Sequence, residues 1–506
     1  MLMHDLLRDG AERTPDRVAL RWVDRDAAVT YAEGVALMDR MAGALASLGV
    51  VKGDRVTVVA HNGMDYLAAM FGAWRLGAIV ALVNVKFADE LEYYFGDHTP
   101  KVVIYTHDLK AAVFRAASVT SSIKHLVCMD GAQDGAIALP ELLAANLVPP
   151  ADPMDESAIA HLSYTSGTTG KPKGACIRHE PTVRATRCIA ERLRITASDV
   201  SFGPTALSSS YQLVGNLLPQ LGRGATANVM GKWTRVTGWD AMDRLGATLF
   251  IANPTLLAEV LDESKVRGRL PGKLRLGLSG GGPVPPLLKK AWRDELKLPL
   301  VESFGQSELG GFMGLGLPEL EPDDAKLGRV GPPLPDKEIS IIDPSGAKVA
   351  NGKLGEIALR GGFMAGYWGR PEKTAEVIRG DVLVTGDIGF LDADGCLTMR
   401  GRRSELVHVD GTAWYPRDIE EALGAQPGVA QAALVGVKAA GGVTPVAFVV
   451  PLPGRRLDPA PLKSAIAPLV AVDLAPLSIR VVELLPMTPT GKIAKAELAA
   501  SAAEAA

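Results

Sequence analysis

Residues 164–174 read Tyr-Thr-Ser-Gly-Thr-Thr-Gly-Lys-Pro-Lys-Gly, a run of hydroxyls, glycines and cations. Gly167 and Gly170 lack a Cβ, so the backbone between them can turn its N–H groups toward a bound anion. Thr165, Ser166, Thr168 and Thr169 add hydroxyl donors, and Lys171 and Lys173 add positive charge. A phosphate is the ligand such a loop suits. The P-loop of kinases and GTPases is excluded by spacing. Thr165 stands where its first glycine belongs, and Pro172 replaces the metal-binding hydroxyl. A P-loop also opens a helix, whereas Gly174–His179 reads as a strand, with a helical pattern from about Thr182 onward. The loop therefore joins two strands. Taken alone, it also suits a plain surface turn.

Further marks follow at wide intervals. Ser279-Gly-Gly-Gly-Pro lies between a strand and a helix, with Pro285 and Pro286 suited to the helix's first turn. Gly280 and Gly282 open a dinucleotide fingerprint, but Pro285 stands where its third glycine belongs. The strand-to-loop geometry still exposes backbone N–H groups at the carboxyl end of a sheet, the usual ligand crevice of α/β folds. Residues 303–308, Ser-Phe-Gly-Gln-Ser-Glu, gather an aromatic, a glycine, hydroxyls and a carboxylate at a strand's end. Phe304 can flank a base, Ser307 can bond an oxyanion, and Glu308 can hold Mg2+. Asp387, after a strand and Gly386, can accept both hydroxyls of a ribose. Arg402 and Lys492 sit on polar, glycine-marked turns. Each of these marks, taken singly, also suits a solvated charge or a turn.

The elements that must carry these residues are legible in the periodicity. Short apolar runs at 55–60, 101–106, 125–129, 247–252, 274–280 and 298–303 alternate with helical patterns, which implies mostly parallel sheets faced by helices. After Pro332 the texture becomes strand and turn, an antiparallel, barrel-like piece. A small α+β unit follows, with a helix at 416–424, strands near 430–437 and 444–450, a helix near 461–470 and a strand at 478–484. The alanine-rich end reads as a frayed helix. Leu67 to Val85 is apolar, but Arg75, Gly72 and Gly77 interrupt it. It reads as a helix, a turn and a buried strand, with no integral membrane segment.

Composition bounds the function classes. The chain has 506 residues and 47% hydrophobic content, enough for two or more domains. Its 54 basic and 57 acidic residues give a net charge of −3, with no basic tract, so no nucleic acid partner is expected. Cys128, Cys176, Cys188 and Cys396 form no Cys-x-x-Cys pair and suit a reducing compartment as small buried hydrophobes. The N-terminus has no apolar core of signal-peptide length, so a cytoplasmic location is expected.

Together and in this order, these marks resemble the adenylate-forming (AMP-binding) superfamily, in its acyl- and aryl-CoA synthetase branch. The resemblance runs from Ala11 through residues 76–104 to Lys492. It implies an α/β fold with a large N-terminal AMP-binding region at 1–400, made of two parallel-rich sheet subdomains and the barrel-like piece. A hinge at 401–404 and a small mobile α+β domain at 405–506 complete it. It implies ATP, Mg2+ and CoA as cofactors and cosubstrates, a small-molecule carboxylic acid as substrate, and a homodimer as one open assembly. The acid would first attack the α-phosphate of ATP to give an acyl-adenylate, and the CoA thiol would then displace AMP.

Residue by residue, the resemblance makes Thr165, Ser166, Gly167, Thr168, Thr169, Gly170 and Lys173 the loop around the β- and γ-phosphates. Glu308 holds Mg2+, and Ser307 contacts the α-phosphate or acyl oxygen. Ser303 and Phe304 border adenine beside Gly281, while Asp387 and Arg402 fix the ribose. Lys492 is the cation of the first transition state. The C-terminal domain then rotates to bring the loop at 408–413, with Gly411, to the thioester step. Segments lining the acyl pocket in relatives correspond to 207–215, 277–283 and 303–313, which places Ser209, Tyr211, Gly280, Gly305 and Met313 there.

Three positions depart from the family pattern. Ser404 replaces the hinge Asp or Lys, Asp410 replaces a common loop Lys, and Ser209 stands where a histidine gate is usual. None of the three pocket segments contains Lys or Arg, so a second substrate carboxylate would lack a partner. No aspartate near Thr205–Ser209 awaits an amino-acid ammonium. The expectation is an uncharged fatty, cyclic or aromatic monocarboxylic acid. An enzyme that loads a carrier protein and a non-catalytic nucleotide-binding homologue remain as alternatives.

Overall fold

A computed structural model of the chain describes residues 1–165, 171–439, 442–488 and 493–504. The chain divides into two compact units: Met1–Val284 with Leu288–Glu338 and Arg360–Leu383, and Pro285–Leu287 with Ile339–Leu359 and Val384–Ala506.

The first unit contains two helix-faced sheets. One has seven strands in the order Ile137–Ala138, His125–Cys128, Val102–Tyr105, Arg55–Val59, Ile79–Leu82, Ile159–Tyr164 and Gly174–Arg178. All its pairings are parallel except the last. Its central strands are near-continuous apolar runs because helices cover both faces. The apolar stretch from Leu67 is a helix (Met64–Arg75), a turn at Gly77 and the buried strand Ile79–Leu82, as its interruptions imply. Arg75 is buried and finds Asp39 at 3.3 Å. Among the described residues, no helix is long and apolar enough to cross a membrane.

The second sheet has eight strands. Its parallel core runs Leu300–Gln306, Leu276–Ser279, Leu249–Ala252, Val200–Gly203, Thr226–Val229 and Val18–Trp22, with Gly311–Leu315 and Ala27–Thr30 antiparallel at the edges. Local signals delimit its helices. Thr30 and Glu33 form a reciprocal capping box on Tyr31–Ser47. Asn253 caps Pro254–Arg267, which has proline in its first turn and stops at the left-handed Gly268. The helix after the phosphate loop begins at His179, three residues before the apolar periodicity, because Pro181 is tolerated in a first turn.

Antiparallel strands in the second unit include Val382–Leu391 paired with Leu397–Arg402. Gly386 and Asp387 lie inside the first of these strands rather than after it. The same unit ends in a three-stranded sheet of Val429–Ala439, Gly442–Pro451 and Ser478–Val481, packed by Pro416–Gly424, Pro459–Ile466 and Lys495–Glu504. The terminal helix is described over Lys495–Glu504 and has a buried face. Leu498 and Ala502, four apart on one face, are buried against Val435 and Val446.

Candidate active site

The phosphate-loop candidate spans a strand–strand connection, as its sequence context requires. Ile159–Tyr164 and Gly174–Arg178 pair antiparallel up to Tyr164 opposite Gly174. One further rung closes the base: Thr165 N–H donates to the Lys173 carbonyl at 3.0 Å, and Lys173 N–H to Thr165 Oγ1 at 3.3 Å. Ser166, Gly167, Thr168, Thr169 and Gly170 lie outside the described residues.

Both stems of this hairpin are held from behind. The Tyr164 hydroxyl lies 2.9 Å from Asp97 Oδ2 and 2.9 Å from His98 Nδ1, and His98 Nε2 lies 2.6 Å from Thr57 Oγ1. Burial, with Arg55 nearby, lowers the His98 pKa to about 3, so the ring is neutral and has one donor. The donors then run one way: Thr57 hydroxyl to Nε2, Nδ1–H to Tyr164, and Tyr164 hydroxyl to the Asp97 carboxylate. Burial and the Asp97 charge hold the Tyr164 hydroxyl protonated. Arg370 pairs with the other Asp97 oxygen at 2.6 Å. On the second stem, the Tyr93 hydroxyl donates to the Pro172 carbonyl, and the Lys171 ammonium lies 5.2 Å from the centre of the Tyr93 ring.

Glu308 sits in the short helical turn Ser307–Leu309, which follows the strand carrying Ser303 and Phe304. The Tyr367 hydroxyl donates to Glu308 Oε1 at 2.7 Å. The Lys173 ammonium lies 5.1 Å from the centre of the Tyr367 ring. Ser307 Oγ is 3.5 Å from the Tyr164 carbonyl. Thus Thr165, Lys173, Ser307 and Glu308, chosen from two separate stretches of sequence, converge around the hairpin's end. The half-exposed Glu308 carboxylate is a hard oxygen donor of the kind Mg2+ takes, one per protein alongside waters and phosphate oxygens.

A second cluster forms where the parallel strands end. The Ser303 hydroxyl donates to the Ser279 carbonyl at 2.9 Å, and the Tyr211 hydroxyl to the Leu278 carbonyl at 2.7 Å. Gly280 lies between them. A Cβ there would stand 2.5 Å from both Ser303 Oγ and Tyr211 Cε2. At Gly305 a Cβ would meet the Gly311 carbonyl at 2.6 Å. The rings of Tyr211 and Phe312 pack with centroids 5.9 Å apart and planes tilted by 39°. Met313 is fully buried. Ser209 is half-buried, and its carbonyl accepts from Leu213 N–H ahead of a π-helical turn at Gln212–Leu217. Gly281 takes a φ of +81°.

Asn62 has no counterpart among the sequence candidates. Its amide donates to the carbonyls of Thr205 and Met230 at 3.0 and 3.3 Å, while its oxygen accepts from Leu207 N–H at 2.8 Å. One side chain thereby pins the segment leading into Ser208–Ser210. Its position after the strand Arg55–Val59, far from residue 205 in sequence, gave no local signal.

In the second unit, Asp387 is buried, and Arg402 Nε lies 3.4 Å from its carboxylate. Gly411 takes a φ of +79° in the turn between Val407–Val409 and Thr412–Trp414. Lys492 lies outside the described residues. Three residues on, Lys495 is bound at 2.9 and 2.8 Å by Glu405 and Glu420. Burial opposes its charge, but the two carboxylates prevail and hold its pKa above the usual lysine value. Among the described residues, His4, Asp5 and Asp152 also bring three metal-type ligands together. There Arg8 lies 3.0 Å from Asp152, so a guanidinium already neutralises the carboxylate.

The two helix-faced sheets thus bring a glycine- and hydroxyl-rich strand connection beside a carboxylate turn. The profile of the AMP-binding enzyme family matches residues 7–368, and that of the AMP-binding enzyme C-terminal domain matches residues 418–492. The chain belongs to this family. It is 30% identical to a 4-hydroxybenzoate–CoA/benzoate–CoA ligase of Rhodopseudomonas palustris, over 96% of this chain and 91% of that protein. It is also 30% identical to a feruloyl-CoA synthase of Amycolatopsis, over 96% of each. A solved benzoate CoA ligase from Burkholderia xenovorans superposes with a TM-score of 0.88 at 25% identity, covering 98% of this chain and 99% of that one.

Proposed function

We propose that this AMP-forming acid–CoA ligase activates an uncharged aromatic monocarboxylic acid. The observation that carries the substrate class is the cluster of Tyr211, Phe312, Gly280 and Gly305. Two rings pack at a 39° tilt beside positions that admit no side chain, and no Lys or Arg occurs in 207–215, 277–283 or 303–313. A flat apolar ring suits such a site, whereas a second carboxylate would be buried without a partner. The aromatic acids named for the two relatives above support the same reading.

In the first half-reaction the substrate carboxylate attacks the α-phosphorus of ATP and pyrophosphate leaves. In the second the CoA thiol attacks the acyl carbon and AMP leaves. Negative charge spreads over the phosphates in the first step, and a fixed cation in a dry site is worth several kcal/mol there. Lys492 is assigned that role, with Thr165 to Gly170 and Lys173 around the β- and γ-phosphates. Glu308 would hold Mg2+, which neutralises phosphate charge when bound. Phe304 and Ser303 border the base beside Gly281, Asp387 and Arg402 hold the ribose, and Ser307 bonds the α-phosphate or acyl oxygen. A hinge at 401–404 presents the loop with Gly411 to the thioester step.

The test is acid-dependent pyrophosphate release across benzoates, cinnamates, fatty acids and dicarboxylates, with and without CoA. Preference for aromatic acids with CoA-dependent thioester formation is the expected result. A higher kcat/KM for fatty acids would refute the substrate class. Adenylate formation without thioester transfer to CoA would favour the carrier-protein alternative, and no pyrophosphate release with any acid would favour the non-catalytic one.

A further inference from the structure

Tyr367 lies well outside every motif that pointed to the site, yet it touches two of them. Its backbone is fixed first. Residues 364–368 lie antiparallel along the strand that leaves the phosphate loop: Cys176 N–H donates to the Gly366 carbonyl at 2.9 Å, Ala365 N–H to Cys176 at 2.9 Å and Trp368 N–H to Gly174 at 2.8 Å. Met364 N–H donates to the Glu308 carbonyl at 2.7 Å. Tyr367 N–H donates to Thr374 Oγ1 at 2.9 Å, and the residue is only 8% exposed. These bonds fix the backbone of Tyr367, and burial confines its ring. Its hydroxyl lies 2.7 Å from Glu308 Oε1, and its ring face holds the Lys173 ammonium at 5.1 Å.

We infer that Tyr367 is the positioning residue that sets the Glu308 carboxylate for its metal and keeps it in register with the phosphate-loop stem at Lys173. This rests on the ligase reading above. The hydroxyl occupies Oε1 as a donor and so restricts the carboxylate's rotation, leaving Oε2 as the oxygen that would serve a cation when one is bound. Outer partners of this kind commonly change metal affinity by about 10–100-fold when removed. The ring acts separately by holding a cation where the loop returns to its strand. A phenylalanine keeps the ring and removes only the hydroxyl, so the two roles can be parted.

Mn2+ binding is measured by electron paramagnetic resonance in the presence of a non-hydrolysable ATP analogue, on wild type, Tyr367→Phe, Glu308→Gln and the double variant. Tyr367→Phe is expected to weaken Mn2+ about tenfold. In the Glu308→Gln background the same change should cost less than about twofold, because a residue acting through Glu308 has nothing left to orient. Tyr367→Leu should further weaken the analogue measured without metal, through loss of the Lys173 contact. Circular dichroism and thermal melting of each variant separate a folding defect from a local one. Unchanged Mn2+ affinity in Tyr367→Phe overturns the inference, as does an equal loss in both backgrounds. If wild type binds Mn2+ no better with the nucleotide than without it, the ligase reading of the site falls, and the inference with it.

Discussion

Gly280→Ala is the sharpest single perturbation of the acyl-site reading. A Cβ at this position starts 2.5 Å from Ser303 Oγ and 2.5 Å from Tyr211 Cε2, where ordinary contact begins near 3.4 Å. Neither neighbour can yield cheaply. Ser303 is tied to the Ser279 carbonyl at 2.9 Å, and Tyr211 to that of Leu278 at 2.7 Å. Its ring therefore tilts toward Phe312, 5.9 Å away, narrowing the space assigned to the acyl group. Overpacking of this kind costs ~1–3 kcal/mol. If about 2 kcal/mol of it falls on acid binding, KM for an aromatic acid rises roughly 30-fold, since 1.4 kcal/mol is tenfold. The assay is steady-state pyrophosphate release at varied benzoate and at varied ATP, with thermal melting alongside. A rise in KM for the acid with kcat little changed marks lost ground-state binding. A lowered melting temperature with unchanged KM for every acid would refute the reasoning, for Gly280 would then serve packing alone.

Asn62→Ala removes three hydrogen bonds, two of them to the segment at 205–207, and is expected to lower kcat/KM for the acid about 10-fold; Asn62→Asp should fare no better, because a carboxylate keeps only the bond from Leu207 N–H and faces the Thr205 and Met230 carbonyls without a donor, and steady-state kinetics on both variants check this. Lys492→Ala should abolish adenylate formation yet retain thioester formation from synthetic acyl-adenylate and CoA, and equal loss in both assays would make the lysine structural. His98, His161 and His179 have pKa values lowered by burial to about 3, about 4 and about 3. They are neutral when folded, whereas the unfolded chain protonates them below about 6.5. Their contribution is therefore complete above pH 6.5 and falls as pH drops toward 4, by up to about 1.4 kcal/mol per pH unit for each. Urea midpoints between pH 7.5 and 5 should show this loss, and His161→Phe should flatten the slope.

What the sequence disclosed was local. Glycines and hydroxyls around residue 167 mark a loop, and the short, mostly apolar run after it marks a strand, so the strand–loop–strand setting followed without tertiary information. Ser303 and Gly280 were readable as members of polar or glycine-rich turns, and Tyr211 only through the family resemblance. Their mutual contact depends on neighbouring parallel strands, whose register no local pattern carries. Asn62 and Tyr367 were missed for the same reason: each acts on residues more than fifty positions away through tertiary hydrogen bonds. At the terminal helix, the alanine-rich composition suggested a frayed end and hid a packed face. The i, i+4 spacing of Leu498 and Ala502 was the signal of a buried face.

Lys495 with Glu405 and Glu420 has a mechanical consequence. Glu405 immediately follows the proposed hinge, and Lys495 lies three residues past Lys492, so one cluster clasps the two ends of a ninety-residue span. The Lys495 side chain is only 21% exposed, which shields the clasp from salt screening. A turn of the backbone at 401–404 would then reach the far end of the span without backlash, as in a lever pinned at both its fulcrum and its tip. Loosening that pin would leave the hinge able to move and the tip unable to follow.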